Sequence, residues 1–206
     1  MPIELFHHPY SRASNVVWML EEVGIGYTLK PVDIMKGEQK SPEILALNPM
    51  GKLPILKDDA VVVSESAAIG LYLADRYAAG RLAPRLDDPQ RGSYLRWALF
   101  APSVIEPGVM ARHENWTYKS SAAGWGDYEA MLATTEAAIG DGPCLLGETF
   151  SMVDVIFGGT LRYMLQFKII EPRPAFTANA ERLEKRPALQ RANARNQAVA
   201  KEMGLG

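Results

Sequence analysis

The chain changes character at a segment rich in proline, glycine and aspartate, "AAGRLAPRLDDP", which runs from Ala78 to Pro89. Before this segment, short strand-like runs alternate with longer helical patterns, and after it the patterns are almost entirely helical. Such a shift is typical of a linker between two domains. We therefore predict an α/β domain over residues 1–78, a linker over residues 79–88 and an all-helical domain over residues 89–206.

The first part of the chain predicts the element order β-α-β-α-β-β-α. The first helix, "ASNVVWMLEEVGI", places Val16, Val17, Leu20 and Val23 near one face and has Gly24 as its stop signal. Strand-like runs precede and follow it in "PIELF" and "YTLKPV", and "PILKDDAVVV" indicates a hairpin. The remaining helices are expected in "SPEILALN" and "SESAAIGLYLADRYAAG".

The second part predicts a bundle of helices. It opens with a long apolar-periodic stretch, "QRGSYLRWALFAPSVIEPGVMARHENW", in which Pro102 and Pro107 are expected to bend or break the helix. Four more helices are expected in "WGDYEAMLATTEAAIGDG", "SMVDVIFGGTLRYMLQFK", "PAFTANAERLEKR" and "PALQRANARNQAVAKEM".

Composition excludes several classes of protein. Hydrophobic residues make up 48%, charged residues 22%, and the net charge is -2, so we expect no nucleic-acid or membrane partner. We see no apolar run long enough to span a membrane and no secretion signal at the start. The single cysteine, Cys144, leaves no intramolecular disulfide or CxxC pair, which suits a cytoplasmic location. His7 and His8 are expected to be polar residues at a strand end, and we expect no metal.

The stretch "NPMGKLPIL" places Pro54 at the entrance of a predicted strand. Proline has no backbone N–H, so it belongs at a strand's first residue or at an edge. If the Leu53–Pro54 bond is cis, the chain turns sharply and Leu53 presents its N–H and C=O like an unpaired strand edge. That geometry suits the docking of an extended peptide. An ordinary trans proline on an edge strand is the alternative.

One hairpin later, Glu65 and Ser66 begin the next predicted helix. The first turn of a helix has unpaired N–H groups and the positive end of the dipole, which stabilise a ligand carboxylate. Glu65 adds a negative charge suited to a ligand ammonium. The two groups together fit the head of an α-amino acid that is joined to a peptide through its side chain. Both residues are also ordinary choices for a helix start.

The set "NPMGKLP…VSESAAIGLYLADRY" resembles the glutathione-binding domain of the glutathione transferases, and in particular bacterial, serine-type, theta- or tau-like members. The resemblance extends along the chain, because "LLGETFSMVDVIFGGTL" looks like the family's capping box, with Ser151 at the cap and Asp154 three residues later. It implies a thioredoxin-like first domain, an all-α second domain, and structural roles for Ser151 and Asp154.

The resemblance implies roles for residues along the bound tripeptide. Leu53, beside Pro54, would pair its backbone with the cysteinyl part of glutathione, and Glu65 with Ser66 would hold the γ-glutamyl end. Lys40 and Lys52 would bind the glycine carboxylate, although each is also compatible with a plain surface charge.

The bound thiol needs an activator, because a free thiol with a pKa of about 8.5 is mostly protonated at pH 7. A hydroxyl that donates to the thiolate contributes about 1.5–3 kcal/mol, which is roughly what a shift of two pKa units requires. The candidates lie in "HHPYSRASNVVW". We favour Ser11, which resembles the start of the serine-type S-x-x-x-R run although Asn15 replaces the arginine. Tyr10 and Ser14 are the alternatives, and Ser11 and Ser14 are also candidate helix caps.

The resemblance implies a second substrate, a small hydrophobic electrophile, in an apolar pocket between the domains. Its candidate wall residues are Tyr10, Phe100, Met110, His113, Trp116 and Tyr118. The expected function is conjugation of glutathione to such electrophiles by a cytoplasmic homodimer with a role in detoxification. The alternatives are glutathione-dependent reduction of peroxides or disulfides, and a non-catalytic protein of this fold that binds ligands or partners.

Overall fold

A four-stranded mixed sheet forms the centre of the first part of the molecule. The computed structural model describes residues 3–205, and its strands are β1 (Ile3–His7), β2 (Tyr27–Pro31), β3 (Ile55–Asp58) and β4 (Val61–Ser64). Their order in the sheet is β2-β1-β3-β4. Strand β1 runs parallel to β2 and antiparallel to β3, and β3 pairs antiparallel with β4.

Three helices accompany the sheet: α1 (Ala13–Val23), α2 (Pro42–Leu47), which a short 3₁₀ helix (Glu38–Lys40) precedes, and α3 (Ser66–Tyr77). The apolar face predicted for α1 is buried. Gly24 ends this helix at φ 80°, and its N–H donates to Leu20 O at 2.9 Å. The Ser41 side chain caps α2 by accepting from Ile44 N–H. The predicted order β-α-β-α-β-β-α and the thioredoxin-like fold are therefore confirmed.

The rest of the described chain is predominantly helical. Its helices are α4 (Arg91–Phe100), α5 (Glu106–His113), α6 (Tyr128–Ile139), α7 (Met152–Gln166), α8 (Pro174–Glu184) and α9 (Pro187–Glu202). Within residues 3–205, no helix combines the length and apolar character needed to cross a membrane.

The two prolines do not break the long helical stretch. A π-helical turn over Ala101–Ile105 joins α4 directly to α5, and Glu106 N–H donates to Ala101 O five residues earlier. Pro102 lacks the N–H that a regular helix would use, and the wider turn accommodates its ring. Ser103 Oγ donates to Leu99 O at 2.6 Å and so satisfies one carbonyl next to the disturbance. The expected interruption is therefore a local widening.

The predicted capping box stands at the start of α7. Asp154 Oδ2 accepts from Ser151 N–H at 2.8 Å, and Asp154 Oδ1 accepts from Leu145 N–H at 2.7 Å. Both members of the box are buried. The carboxylate thus satisfies N–H groups that burial would otherwise leave unpaired, which is a structural role.

The chain forms two compact units: residues up to Tyr77 join those from Arg186 onward, and Ala78–Lys185 form the other. This grouping differs from the expected one, in which residues 89–206 stay together. The physical reason is that α9 packs on α1. Arg186 forms a two-pronged ion pair with Glu22 at 2.6 and 2.9 Å, and Arg191 and Arg195 bind Glu21 at 2.7 and 2.8 Å.

Candidate functional site

The sheet register brings together the three segments that the sequence singled out. Phe6 near the end of β1 lies opposite Ile55 at the start of β3, and Ile55 lies opposite Ser64 at the end of β4. Neighbouring strands are about 4.8 Å apart. The loop after β1, the residues before β3 and the residues after β4 therefore meet at one end of the sheet.

The middle segment has the backbone geometry expected from the sequence. The Leu53–Pro54 peptide bond is cis. Leu53 is half-buried and Pro54 is buried. Neither the N–H nor the C=O of Leu53 hydrogen-bonds to any residue in the described range 3–205. These two groups form a short strand-like edge that an extended ligand backbone can pair with.

The third segment presents an acid and a helix start. Glu65 has φ 68°, a left-handed conformation that is uncommon for a residue with a side chain. Its side chain is exposed and makes no hydrogen bond or ion pair with the described residues. Ile69 N–H makes the first bond of α3, to Glu65 O at 2.9 Å. The N–H groups of residues 66–68 lie ahead of that bond and have no helical partner.

A buried asparagine that the sequence analysis missed shapes the turn before the cis bond. Asn48 Nδ2 donates to Lys52 O at 3.0 Å, and Asn48 Oδ1 accepts from Met50 N–H at 3.1 Å. The two hydrogen bonds of Asn48 close the turn, which places Leu53 at the end of the sheet. The signal was present in "NPMG", since asparagine commonly bonds to the backbone two residues ahead in turns.

One of the two predicted lysines is anchored to this turn. Lys40 Nζ donates to Met50 O at 2.8 Å. Gly51 has φ 57°, and a Cβ there would lie 2.8 Å from both Gln39 O and Lys40 Cδ, so only glycine fits. Lys52 is exposed on the same turn. The turn thus holds one ammonium in place and leaves the other in solvent.

The three candidate hydroxyls have different partners. Ser11 Oγ donates to His8 O at 2.9 Å and accepts from Ala13 N–H at 3.1 Å. Tyr10 is exposed, and its OH donates to Leu205 O at 2.6 Å. Ser14 Oγ donates to Ser11 O at 2.9 Å. A hydroxyl rotates easily, and one that already accepts a hydrogen bond is a stronger donor. Ser11 combines both properties at the start of α1.

The two histidines beside these hydroxyls are buried and neutral at pH 7. Burial lowers the pKa of His7 to about 4, partly opposed by its hydrogen bond with Asn196. Burial also lowers the pKa of His8, against the opposing charge of Asp33. Both side chains have no exposed surface. In the described part of the chain, no group of three or more potential ligand side chains is placed to hold a metal ion.

The remaining pocket candidates lie on and after α4 and α5. Phe100 is half-buried and packs against Trp97 and Phe157, with ring centroids 5.3 and 6.4 Å away, so it contributes to the interior of the helical unit. The others have exposed side chains: Met110, His113, Trp116 and Tyr118. Tyr118 packs edge-on against Trp125 at 5.4 Å. They give this surface an aromatic character.

Comparison with protein families identifies the first part of the chain. The family profile described as "Glutathione S-transferase, N-terminal domain" matches residues 1–75. A curated relative, "Glutathione S-transferase 3" of Schizosaccharomyces pombe, is 35% identical over 111 residues, which are 54% of this chain and 46% of the relative. The match thus spans about half the length of that relative. "Glutathione S-transferase theta-2B" of Homo sapiens is 29% identical over 207 residues, covering 89% of this chain and 81% of the relative.

Solved structures give a match over nearly the whole chain. A theta class glutathione S-transferase from Xanthomonas axonopodis pv. citri, crystallised with glutathione bound, is 31% identical, with a TM-score of 0.76. The match covers 93% of this chain and 97% of that one. The sequence and structure comparisons therefore both find glutathione transferases, and the structural match extends over both compact units.

Proposed function

Because this chain belongs to the glutathione transferase family, we propose that it binds glutathione and conjugates the sulfur to hydrophobic electrophiles. The observation that carries the proposal is the meeting of three segments at one end of the sheet. They are a backbone edge and an acid before a helix start, neither paired with any residue from 3 to 205, and a loop with three hydroxyls. Each suits one part of the tripeptide.

The binding groups follow the length of glutathione. The N–H and C=O of Leu53, beside the cis bond to Pro54, pair with the backbone of the cysteinyl residue. Glu65 holds the ammonium of the γ-glutamyl end, and Ser66 with the free N–H groups of α3 holds its carboxylate. The ammonium groups of Lys40 and Lys52 bind the glycine carboxylate at the other end.

Ser11 then acts on the sulfur. Its hydroxyl turns from His8 O to the sulfur and donates a hydrogen bond that favours the thiolate over the thiol. The thiol proton passes to solvent. The thiolate attacks the electrophilic carbon, a C–S bond forms, and a leaving group departs with its electron pair or the electrons move into the electrophile. Tyr10 and Ser14 are the alternative donors.

We assign the contact with the electrophile to the exposed aromatic and thioether side chains named above. These are Met110, His113, Trp116 and Tyr118, and the half-buried Phe100 belongs to the same compact unit. Aromatic and thioether groups suit flat, polarisable substrates. The proposed thiol substrate also fits a reducing compartment, which favours the cytoplasm.

A homodimer is part of the proposal. Strand β4 lies at the edge of the sheet, and its Val61 and Val62 are 39% and 40% exposed. Exposed apolar residues on an edge strand favour association with another chain. Light scattering coupled to size-exclusion chromatography is expected to give twice the mass of the chain.

The direct test is retention on immobilised glutathione followed by a conjugation assay with chlorodinitrobenzene. We expect retention, elution by free glutathione, and turnover. Turnover of peroxides or disulfides without any conjugation would replace the transfer reaction with reduction at the same thiolate. Retention without turnover of any electrophile or peroxide would favour a non-catalytic binding protein.

Replacing Glu65 by glycine is expected to separate binding from stability. The variant loses the charge that holds the ligand ammonium, so glutathione should bind about tenfold more weakly, the loss of one charge-assisted hydrogen bond. Glycine also adopts φ 68° freely, so the free energy of unfolding should rise by about 0.5–1 kcal/mol. Calorimetric titration and chemical denaturation measure the two effects.

Asp59 provides the matched control, because it is another exposed acid with positive φ, 57°, at the tip of the β3–β4 hairpin. Replacement by glycine should raise stability by a smaller amount, since aspartate tolerates this conformation better, and should leave glutathione binding unchanged. Normal glutathione affinity in the Glu65→Gly variant would remove Glu65 from the proposed site.

A further inference from the structure

One side chain of α9 holds both ends of the loop that carries Ser11. Asn196 Oδ1 lies 2.7 Å from His7 Nε2, and Asn196 Nδ2 donates to Ser14 O at 3.2 Å. His7 is the last residue of β1, and Ser14 lies in the first turn of α1. The residues between them form the loop that we propose to contact the sulfur.

The polarity of the two bonds is consistent. Ser14 O can only accept, so the amide nitrogen of Asn196 faces it and the amide oxygen faces His7. His7 Nε2 must then carry the hydrogen that Asn196 Oδ1 accepts. The pair thus uses one tautomer of the neutral imidazole, which agrees with the complete burial of His7.

Bonds inside the loop carry this constraint to Ser11. Ser11 N–H and Oγ both donate to His8 O, at 3.0 and 2.9 Å, and His8 directly follows the anchored His7. From the other side, Ser14 N–H and Oγ both donate to Ser11 O, at 3.1 and 2.9 Å. Ser11 therefore lies between His7 and Ser14, the two residues that Asn196 binds. It is linked to the first through the His8 carbonyl and to the second through its own carbonyl.

The helix that carries Asn196 is itself firmly placed on α1. Arg186 and Arg191 bind Glu22 and Glu21 through short ion pairs. Asparagine is a weaker helix former than the alanines that surround it in α9, so its bonds to the loop offset a local penalty. The anchored helix makes Asn196 a fixed point against which the loop is held.

We propose that Asn196 is a positioning residue that holds the hydroxyl of Ser11 where it meets the sulfur of bound glutathione. The inference rests on the proposed function, because it gives Ser11 that role. Asn196 acts through the backbone of the loop. Small displacements of a catalytic group lower the rate strongly, so loss of this anchor should affect turnover more than binding.

The first experiment measures the loop without using activity. Amide hydrogen exchange is compared between wild type, Asn196→Ala and a control, Gln197→Ala, which removes an exposed amide on the same helix. We expect exchange of Ser11, Ser14 and Asn15 to be about tenfold faster in Asn196→Ala and unchanged in Gln197→Ala. Unchanged exchange of the loop in Asn196→Ala overturns the proposal.

The second experiment is a double-mutant cycle on turnover. In the wild-type background, Asn196→Ala should lower kcat about tenfold and change KM for glutathione less than twofold. In the Ser11→Ala background, the same substitution should lower kcat less than twofold, since the group it positions is already gone. A purely structural role would give equal losses in both backgrounds, and that result overturns the proposal.

A third variant, Asn196→Asp, tests the proposal if Asn196→Ala does not fold. Asn196→Asp keeps the shape and an acceptor for His7 but cannot donate to Ser14 O. It should show the same losses in loop protection and kcat, and wild-type values in this variant overturn the proposal. A chain without any turnover would end the proposed function together with the role of Asn196. Unchanged exchange in an active chain would end the role of Asn196 alone.

Discussion

Alanine at position 11 is expected to lower kcat for conjugation about 10- to 100-fold, which corresponds to the loss of one hydrogen bond to a charged group. Ser11 is the hydroxyl that accepts from Ala13 N–H while its own hydrogen lies on His8 O, so it can turn to a thiolate without breaking the helix start. KM for glutathione should change little, because the groups at both ends of the tripeptide stay intact. Steady-state kinetics with chlorodinitrobenzene measure both quantities.

The fraction of bound glutathione present as thiolate gives a second reading of the same variant. The thiolate of bound glutathione absorbs in the ultraviolet. This absorbance at neutral pH should fall in Ser11→Ala, because the thiol pKa of bound glutathione returns toward its ordinary value. Tyr10→Phe and Ser14→Ala are the matched comparisons, each removing one neighbouring hydroxyl. A wild-type rate in Ser11→Ala, with a loss in one of the other two, would transfer the role to that residue.

Acidification from pH 7 to pH 4 is expected to lower the free energy of unfolding by about 3 kcal/mol through His7 alone. The pKa of His7 in the folded protein is about 4, against 6.5 in an unfolded chain. Between pH 6.5 and pH 4 the imidazole of His7 is protonated in the unfolded chain but not in the folded protein. The free energy of unfolding therefore falls as the pH drops. The contribution of His7 is fully present above pH 6.5.

Denaturant unfolding at pH 4, 5, 6 and 7 measures this slope, and His7→Gln is the variant that should flatten it. Histidine resonances in NMR spectra separate the residues, because the pKa of His8 is also lowered by burial. Carboxylates change the free energy of unfolding at lower pH than the histidines do. Burial raises the pKa of Glu21, but Arg191, Tyr27 and Arg195 lower it more, so its contribution is lost below about 4.5. An unchanged slope in His7→Gln would contradict the assignment.

Much of the fold could be predicted because its signals are local. Alternating and helical periodicities identified the four strands and three α-helices from β1 to α3, and Gly24 marked the end of α1. The capping box of α7 is a four-residue pattern whose partners are neighbours in the chain. The cis bond before Pro54 was one of the two alternatives that the stretch "NPMGKLPIL" left open, the other being a trans proline on an edge strand. In each case the residues that decide the structure lie within a few positions of one another.

Apart from the turn that Asn48 holds, the contacts that sequence reasoning missed join residues far apart in the chain. Asn196 bonds to His7 across 189 positions, and nothing in the local pattern of α9 indicates its partner. The packing of α9 on α1 depends on Arg186 and Glu22, which look like ordinary surface charges in the sequence. Long-range pairs of this kind leave no periodic trace, so periodicity cannot predict them.

The π-helical turn at Ala101–Ile105 has a consequence for how relatives of this chain can diverge. A regular helix advances by roughly 100° per residue, so one extra residue in a turn rotates everything after it by about that angle. Met110 and His113 lie in α5, which continues directly from the π-helical turn. Loss of a single residue there would re-aim the whole later surface at once, without any change in its chemistry. Under the proposed contact of this surface with the electrophile, a length change at the turn would alter substrate preference strongly, and point substitutions in α5 would alter it in smaller steps.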